Sequence, residues 1–183
     1  LRNAGEHLGA PFDLKVTAPD TYVAQNSNKN GKDGVDVYGQ INTKTGTGSI
    51  FEYLFINQTT GEPVTLPRFS FTIVDLDQSD VFNREIVCLE DLSVDEYFVT
   101  DDTLLEVVPV TAGTPSNYSD FCPVNSVYIS PVAGDLRTVE VDNPQNNAEG
   151  FFKNLTRAQR QVSVLLGLEQ SSGFRMRYTI YCP

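Results

Sequence analysis

Apolar and polar residues alternate along Phe174-Arg-Met-Arg-Tyr-Thr-Ile-Tyr181, with Phe174, Met176, Tyr178 and Ile180 on one side and Arg175 and Arg177 on the other. A two-residue period marks a β-strand with one face in a core and one in water. Similar segments recur between clusters of Gly, Pro, Asn and Asp, and predict strands near 12–17, 36–41, 48–57, 68–76, 84–89, 94–100, 103–110, 125–130, 136–141, 161–168 and 173–181. Many short strands separated by turn residues point to an all-β fold, an antiparallel, jelly-roll-like β-sandwich. One short helix is expected near 154–160, where Asn154 or Thr156 can cap the segment that follows. Residues 1–11 show little periodicity and read as an N-terminal arm that a partner would order, which leaves 12–183 as a single sandwich domain. Residues 24–34 and 112–124 are polar and rich in turn formers, so they read as surface loops.

Charge and size narrow the function classes. The chain has 183 residues, 40% of them hydrophobic, and its 13 Lys+Arg against 24 Asp+Glu give a net charge of -11. That length can bury a core, and that charge repels phosphate backbones, so nucleic acid is not an expected partner. Apolar runs such as Val162–Leu168 fall far short of the roughly 20 residues a spanning helix needs, and no membrane insertion is expected. With Leu1 at its head, the chain is expected to be a processed form. Cys88, Cys122 and Cys182 have no C-x-x-C spacing, and one disulfide among the three is expected; three thiols in a reducing compartment is the alternative. Sequons at Asn57, Asn117 and Asn154 add a weak lean toward a secreted or cell-surface glycoprotein.

Candidate chemistry gathers in Phe69-Ser-Phe-Thr-Ile-Val-Asp-Leu-Asp-Gln-Ser-Asp80, an alternating strand that runs into Asp75, Asp77 and Asp80. Asp75 and Asp77, two apart, would share one side of an extended strand, with Asp80 or Glu85 closing round a hard cation; calcium fits that chemistry. The plainer reading is a solvated strand end whose acids cap turns or pair with Arg84. A second stretch, Asn26 to Asp36, partly matches a calcium loop, but a neutral Asn stands first and Val37 stands where a bidentate Glu belongs, so a plain Asn/Gly loop is the better reading. Asp91, Asp95, Glu96, Asp101 and Asp102 read as turn residues and solubility charge. Catalysis has little to draw on: His7 is the only histidine, there is no Trp to line a glycosidase cleft, and no phosphate-cradling loop opens a helix.

Several stretches together carry a resemblance: Asn30-Gly-Lys-Asp-Gly34, Tyr38-Gly-Gln-Ile-Asn42, Thr59-Thr-Gly-Glu-Pro-Val-Thr-Leu66, Phe69 to Asp77, Arg84-Glu85, Asp142-Asn-Pro144 and Leu155-Thr-Arg-Ala-Gln-Arg160. Over about residues 30 to 181 they resemble a β-rich domain that recurs in predicted secreted or surface proteins of microalgae and related protists. The resemblance implies the fold and transfers no activity, cofactor or catalytic residue. Against it, residues of about 113–135, with Cys122, read as a loop insertion. The function expected is a non-enzymatic structural or assembly module of an extracellular or surface structure, binding copies of itself or other protein subunits. A calcium-dependent module for carbohydrate or another ligand, using Tyr22, Tyr38, Tyr97 or Tyr118, is the alternative. An accessory subunit of a large complex in an organelle lumen is the second alternative.

Overall fold

Alternation in the sequence becomes two packed antiparallel sheets in the computed structural model, which describes residues 1–19, 21–32, 39–78, 83–90, 94–139, 141 and 155–182. The strands are β1 (Gly5–His7), β2 (Ala10–Thr17), β3 (Gly31–Lys32), β4 (Gly39–Gln40), β5 (Gly48–Asn57), β6 (Phe69–Ile73), β7 (Arg84–Glu90), β8 (Val94–Phe98), β9 (Leu105–Val110), β10 (Ser126–Pro131), β11 (Val164–Leu168) and β12 (Gly173–Tyr181). The helices are α1 (Ser116–Ser119) and α2 (Arg157–Gln161). A seven-stranded sheet runs β1-β2-β5-β12-β7-β10-β9, a three-stranded sheet runs β6-β11-β8, and β3 and β4 form a small ribbon. The fold is thus an all-β sandwich with the strands divided seven against three.

The last strand lies at the centre of the large sheet, because β12 offers a long, clean apolar face and pairs with β5 and β7 on either side. Its Phe174, Met176 and Tyr178 join Phe51, Tyr53 and Phe55 of β5 and Val87 and Leu89 of β7 in the core. Against them the small sheet brings Leu166 and Leu168 of β11 with Phe69 and Phe71 of β6. Within the large sheet Phe174 stacks on Tyr53 at 4.5 Å, and across the two layers it meets Phe71 edge-on at 4.9 Å. Such geometry adds about 0.5–1.5 kcal/mol per pair beyond the area buried.

Four expectations need correcting. Residues 1–11 are not an arm awaiting a partner: Leu8 and Gly9, with φ of 52° and 77°, make a tight turn between β1 and β2, and β2 pairs with the chain's own β5. A domain boundary at 11/12 would therefore cut β2. The strand expected over 136–141 is a 3-10 turn at Leu136–Thr138, because the Asp135 side chain accepts from the Arg137 amide and folds the backbone onto itself. The stretch 113–135 is not all loop, since β10 occupies 126–131 and pairs with β9; the connection between these strands is 111–125, and it includes the unexpected α1. Finally, β6 stops at Ile73 and does not reach 76.

The predicted helix forms as α2, starting three residues later than expected and ending one residue later. Thr156 caps it: its hydroxyl accepts from the Gln159 amide at 3.2 Å while the Gln159 side chain accepts from the Thr156 amide at 2.9 Å. Asn154, the other candidate cap, lies outside the described residues. This reciprocal cap holds a helix too short to be stable alone. Thr156→Ala should lower stability by about 1 kcal/mol, read as a fall of roughly 2–4 °C in melting temperature.

Candidate functional site

The carboxylates singled out in the sequence are brought together by a break in the backbone. After Ile73 the chain leaves the small sheet, and Asp75 adopts φ of 66°, a left-handed conformation that Asp tolerates better than most residues. The turn sends Leu76 into the core, where it is 2% exposed and its amide donates to the Val162 carbonyl at 3.1 Å. Strand periodicity therefore does not apply across 75–77. The chain then returns along β7, where the Glu85 amide donates to the Asp77 carbonyl at 3.2 Å. Glu85 thus faces Asp77, and from β12 the Tyr178 hydroxyl donates to Glu85 Oε1. Glu85 Oε2 takes a weaker hydrogen bond from the Asp77 amide at 3.4 Å.

Crowding and enclosure act in the same direction on these acids. Burial raises the Glu85 carboxyl to about 8, the Tyr178 hydroxyl offsets part of the rise, and the charges of Asp77 and Asp75 add to it. Burial raises Asp75 to about 6, and its buried Oδ1 has no hydrogen-bond partner. Tyr178 is held well above 10 by burial and by the Glu85 charge. A proton on one of the carboxyls relieves the repulsion without a metal. Asp80 lies outside the described residues, and among those described no three His, Cys, Asp or Glu side chains are placed to hold a metal ion.

Other sequence candidates find structural employment. In the loop matched to a calcium site, Asn26 accepts from the Asn28 amide at 3.0 Å, and Asn30 accepts from the Asn42 amide at 2.7 Å and the Tyr22 hydroxyl at 2.9 Å. Asn26 thus caps a local turn and Asn30 ties the loop to Tyr22 and Asn42; Asp33, Asp36 and Val37 lie outside the described residues. Asn57 accepts from the amides of Thr59 and Thr60 at 2.8 and 3.1 Å, Asn117 is exposed on α1, and Asn154 is not among the described residues. Of the tyrosines considered for stacking on a sugar, Tyr22 packs on Phe51, Tyr118 packs on Tyr128, Tyr38 lies outside the described residues, and Tyr97 is exposed. Cys88 and Cys122 form the disulfide, which ties segment 111–125 to β7, and Cys182 is a free, exposed thiol.

Two surface features were not anticipated. Strand β8 is an edge of the small sheet, and its register sets Phe98 opposite Leu165 of β11 on the outer face. Phe98 and Leu165 are 52% and 36% exposed, an apolar pair where a sheet normally presents polar residues; Tyr97, opposite the core residue Leu166, is on the other side of the strand and 45% exposed at its edge. Beside it, Val99, Thr100, Asp101, Asp102, Arg157 and Arg160 line an open cleft of about 640 Å³, with Arg157 bonded to Asp102 at 2.6 Å. The acids of the turn were visible in the sequence; their meeting with α2 was not, because it depends on how the helix docks. At the other end of β8, Arg68 reaches Asp95 at 2.8 Å and Glu96 at 2.5 Å.

Comparison with known proteins finds no matching family model, no matching curated protein and no matching solved structure. Among the described residues no helix is long and apolar enough to cross a membrane.

Proposed function

We propose that the chain is a non-enzymatic assembly module that associates with copies of itself through the outer face of the small sheet, in an extracellular or surface structure. The carrying observation is the exposed outer-face pair Phe98 and Leu165 beside a cleft whose rim holds both signs of charge. Aromatic and Arg side chains next to a pocket are the composition of binding hot spots. A surface that meets its own copy across a two-fold axis must be self-complementary, and Asp101 and Asp102 alongside Arg157 and Arg160 satisfy that. Asp95, Glu96 and Arg68 protect the opposite end of β8 from edge pairing, which leaves side-chain docking at Phe98 and Leu165 as the mode of contact. The disulfide between Cys88 and Cys122 favours an oxidising compartment and so supports the extracellular setting.

Light scattering coupled to size exclusion tests this. The wild-type chain should show a concentration-dependent dimer, strengthened by salt because each copy carries a net charge of -11. Phe98→Asp should be monomeric with an unchanged melting temperature, since Phe98 makes its contacts on the outside. A wild-type chain that stays monomeric up to about 1 mM, where even a weak contact of roughly -4 kcal/mol would register, removes the proposal.

A further inference from the structure

The outer face of the seven-stranded sheet is divided in two. Segment 111–125 covers one half, over Ile86, Cys88, Val110 and Tyr128. The other half is open, and there β5 and β12 floor a groove of about 700 Å³ walled by Thr17, Ala18, Pro19 and Thr21. Arg175 and Arg177 project from β12 into it, opposite the core-facing Phe174, Met176 and Tyr178. Both guanidiniums are held from the neighbouring strand β7 by one carboxylate: Glu90 Oε2 accepts from Arg175 Nη2 at 2.9 Å and Glu90 Oε1 accepts from Arg177 Nε at 3.0 Å. The Glu90 side chain is only 6% exposed, whereas those of Arg175 and Arg177 are 45% and 38% exposed. A buried acid gripping two half-exposed arginines fixes their planes before any ligand arrives, so little side-chain entropy remains to be lost on binding.

Glu90 engages Arg177 through Nε, and Arg177 lines the groove. A planar pair of N–H donors matches a carboxylate in a bidentate pair. Around it stand groups suited to hydroxyls: the Glu52 carboxylate as acceptor, and the Thr17, Thr21 and Thr179 side chains as donors or acceptors. Gly48 leaves the floor low, since a Cβ there would come within 2.5 Å of Thr179 Oγ1. We propose that this groove binds an acidic saccharide, with a uronate carboxylate on Arg177 and ring hydroxyls on Glu52 and the threonines. The site lies on the opposite layer of the sandwich from the assembly face and does not depend on it.

Calorimetric titration with trigalacturonate, and with galactotriose as the neutral control, tests the assignment in calcium-free buffer. Trigalacturonate should bind saturably and at least about tenfold more tightly than galactotriose, a difference of roughly 1.4 kcal/mol. Arg177→Ala should lower that affinity by about tenfold or more, and Thr17→Val, which leaves the Glu90 pair untouched, should lower it measurably while keeping the melting temperature. Arg68→Ala, on the other sheet, should bind as wild type does. Equal binding of the two sugars, no saturable binding of either, or an unchanged affinity in both Arg177→Ala and Thr17→Val would overturn the proposal.

Discussion

At pH 8 Glu85→Gln should be more stable than the wild-type chain by about 2–4 kcal/mol, and at pH 4.5 the difference should vanish. The sign follows from proton counts. Glu85 titrates at about 8 in the folded chain against 4.5 when unfolded, so between those values the folded state holds a proton that the unfolded state has released. Stability is then full below pH 4.5 and is lost as pH rises through 8, at up to about 1.4 kcal/mol per unit. The whole interval would amount to about 5 kcal/mol; Glu85 is only partly buried and water shares the cost, hence the smaller figure. Asp75, raised from 3.8 to about 6, contributes in the same direction over a lower window. A glutamine carbonyl can still accept the Tyr178 hydroxyl, so the substitution removes the charge and keeps that bond.

Opposing this trend, Asp13, Asp102 and Asp135 are held below 3.8, chiefly by hydrogen bonds from the Asn3 amide, from Arg157 and from Arg137 respectively. What they contribute is present above 3.8 and lost as pH falls further. Urea unfolding across the range should therefore peak between about pH 4 and 5, and Glu85→Gln should flatten the alkaline limb alone. Identical alkaline limbs in the two proteins would show that this carboxyl is not the group strained by enclosure. Calcium supplies a contrast within the same experiment, since a bound cation raises stability by mass action and more so as the acids ionise. Both Glu85 oxygens are already engaged, which favours a proton as the species that reconciles the cluster.

How much of this was legible depends on whether the cause was local. Strands β5 and β12 were readable to within a residue or two because one buried face imposes its period directly on the sequence. The turn at Leu136–Thr138 was misread because Leu136, Thr138 and Val139 imitate a strand, while a single Asp135 cap decides the backbone. The N-terminal segment was misread because β1 and β2 are joined by a turn with a leucine at positive φ, where Asn or Gly would have announced a hairpin. At the acidic site, Asp75 and Asp77 were visible, but the left-handed turn at Asp75 and the arrival of Tyr178 from a strand 93 residues beyond Glu85 were not. The Arg177 groove was hidden for the same reason: the alternation marked both arginines as outward-facing, and only the register of β12 against β7 places Glu90 beside them.

Removing the disulfide should have the other large effect, a loss of about 4 kcal/mol in the double variant Cys88→Ala/Cys122→Ala. The bond joins positions 34 apart in sequence, and a loop of that length costs the unfolded chain roughly that much freedom when closed. Its position argues for a local consequence as well. Segment 111–125 lies on the outer face of the large sheet by a small second core, with Tyr118 against Tyr128 at 5.1 Å and Phe121 against Tyr181 at 4.9 Å. These rings sit apart from the main core between the sheets, so the segment can open while the sandwich stays folded. The double variant should accordingly be cleaved within 111–125 by a nonspecific protease at concentrations that leave wild type intact, before global unfolding. Pairing both sulfurs' removal avoids an unpaired partner that could exchange with the exposed Cys182. A loss below about 1 kcal/mol with unchanged protection would mean that the aromatic contacts alone hold the segment. A loss of the expected size would tie full stability to an oxidising compartment, because reduction would remove the same constraint in the natural chain.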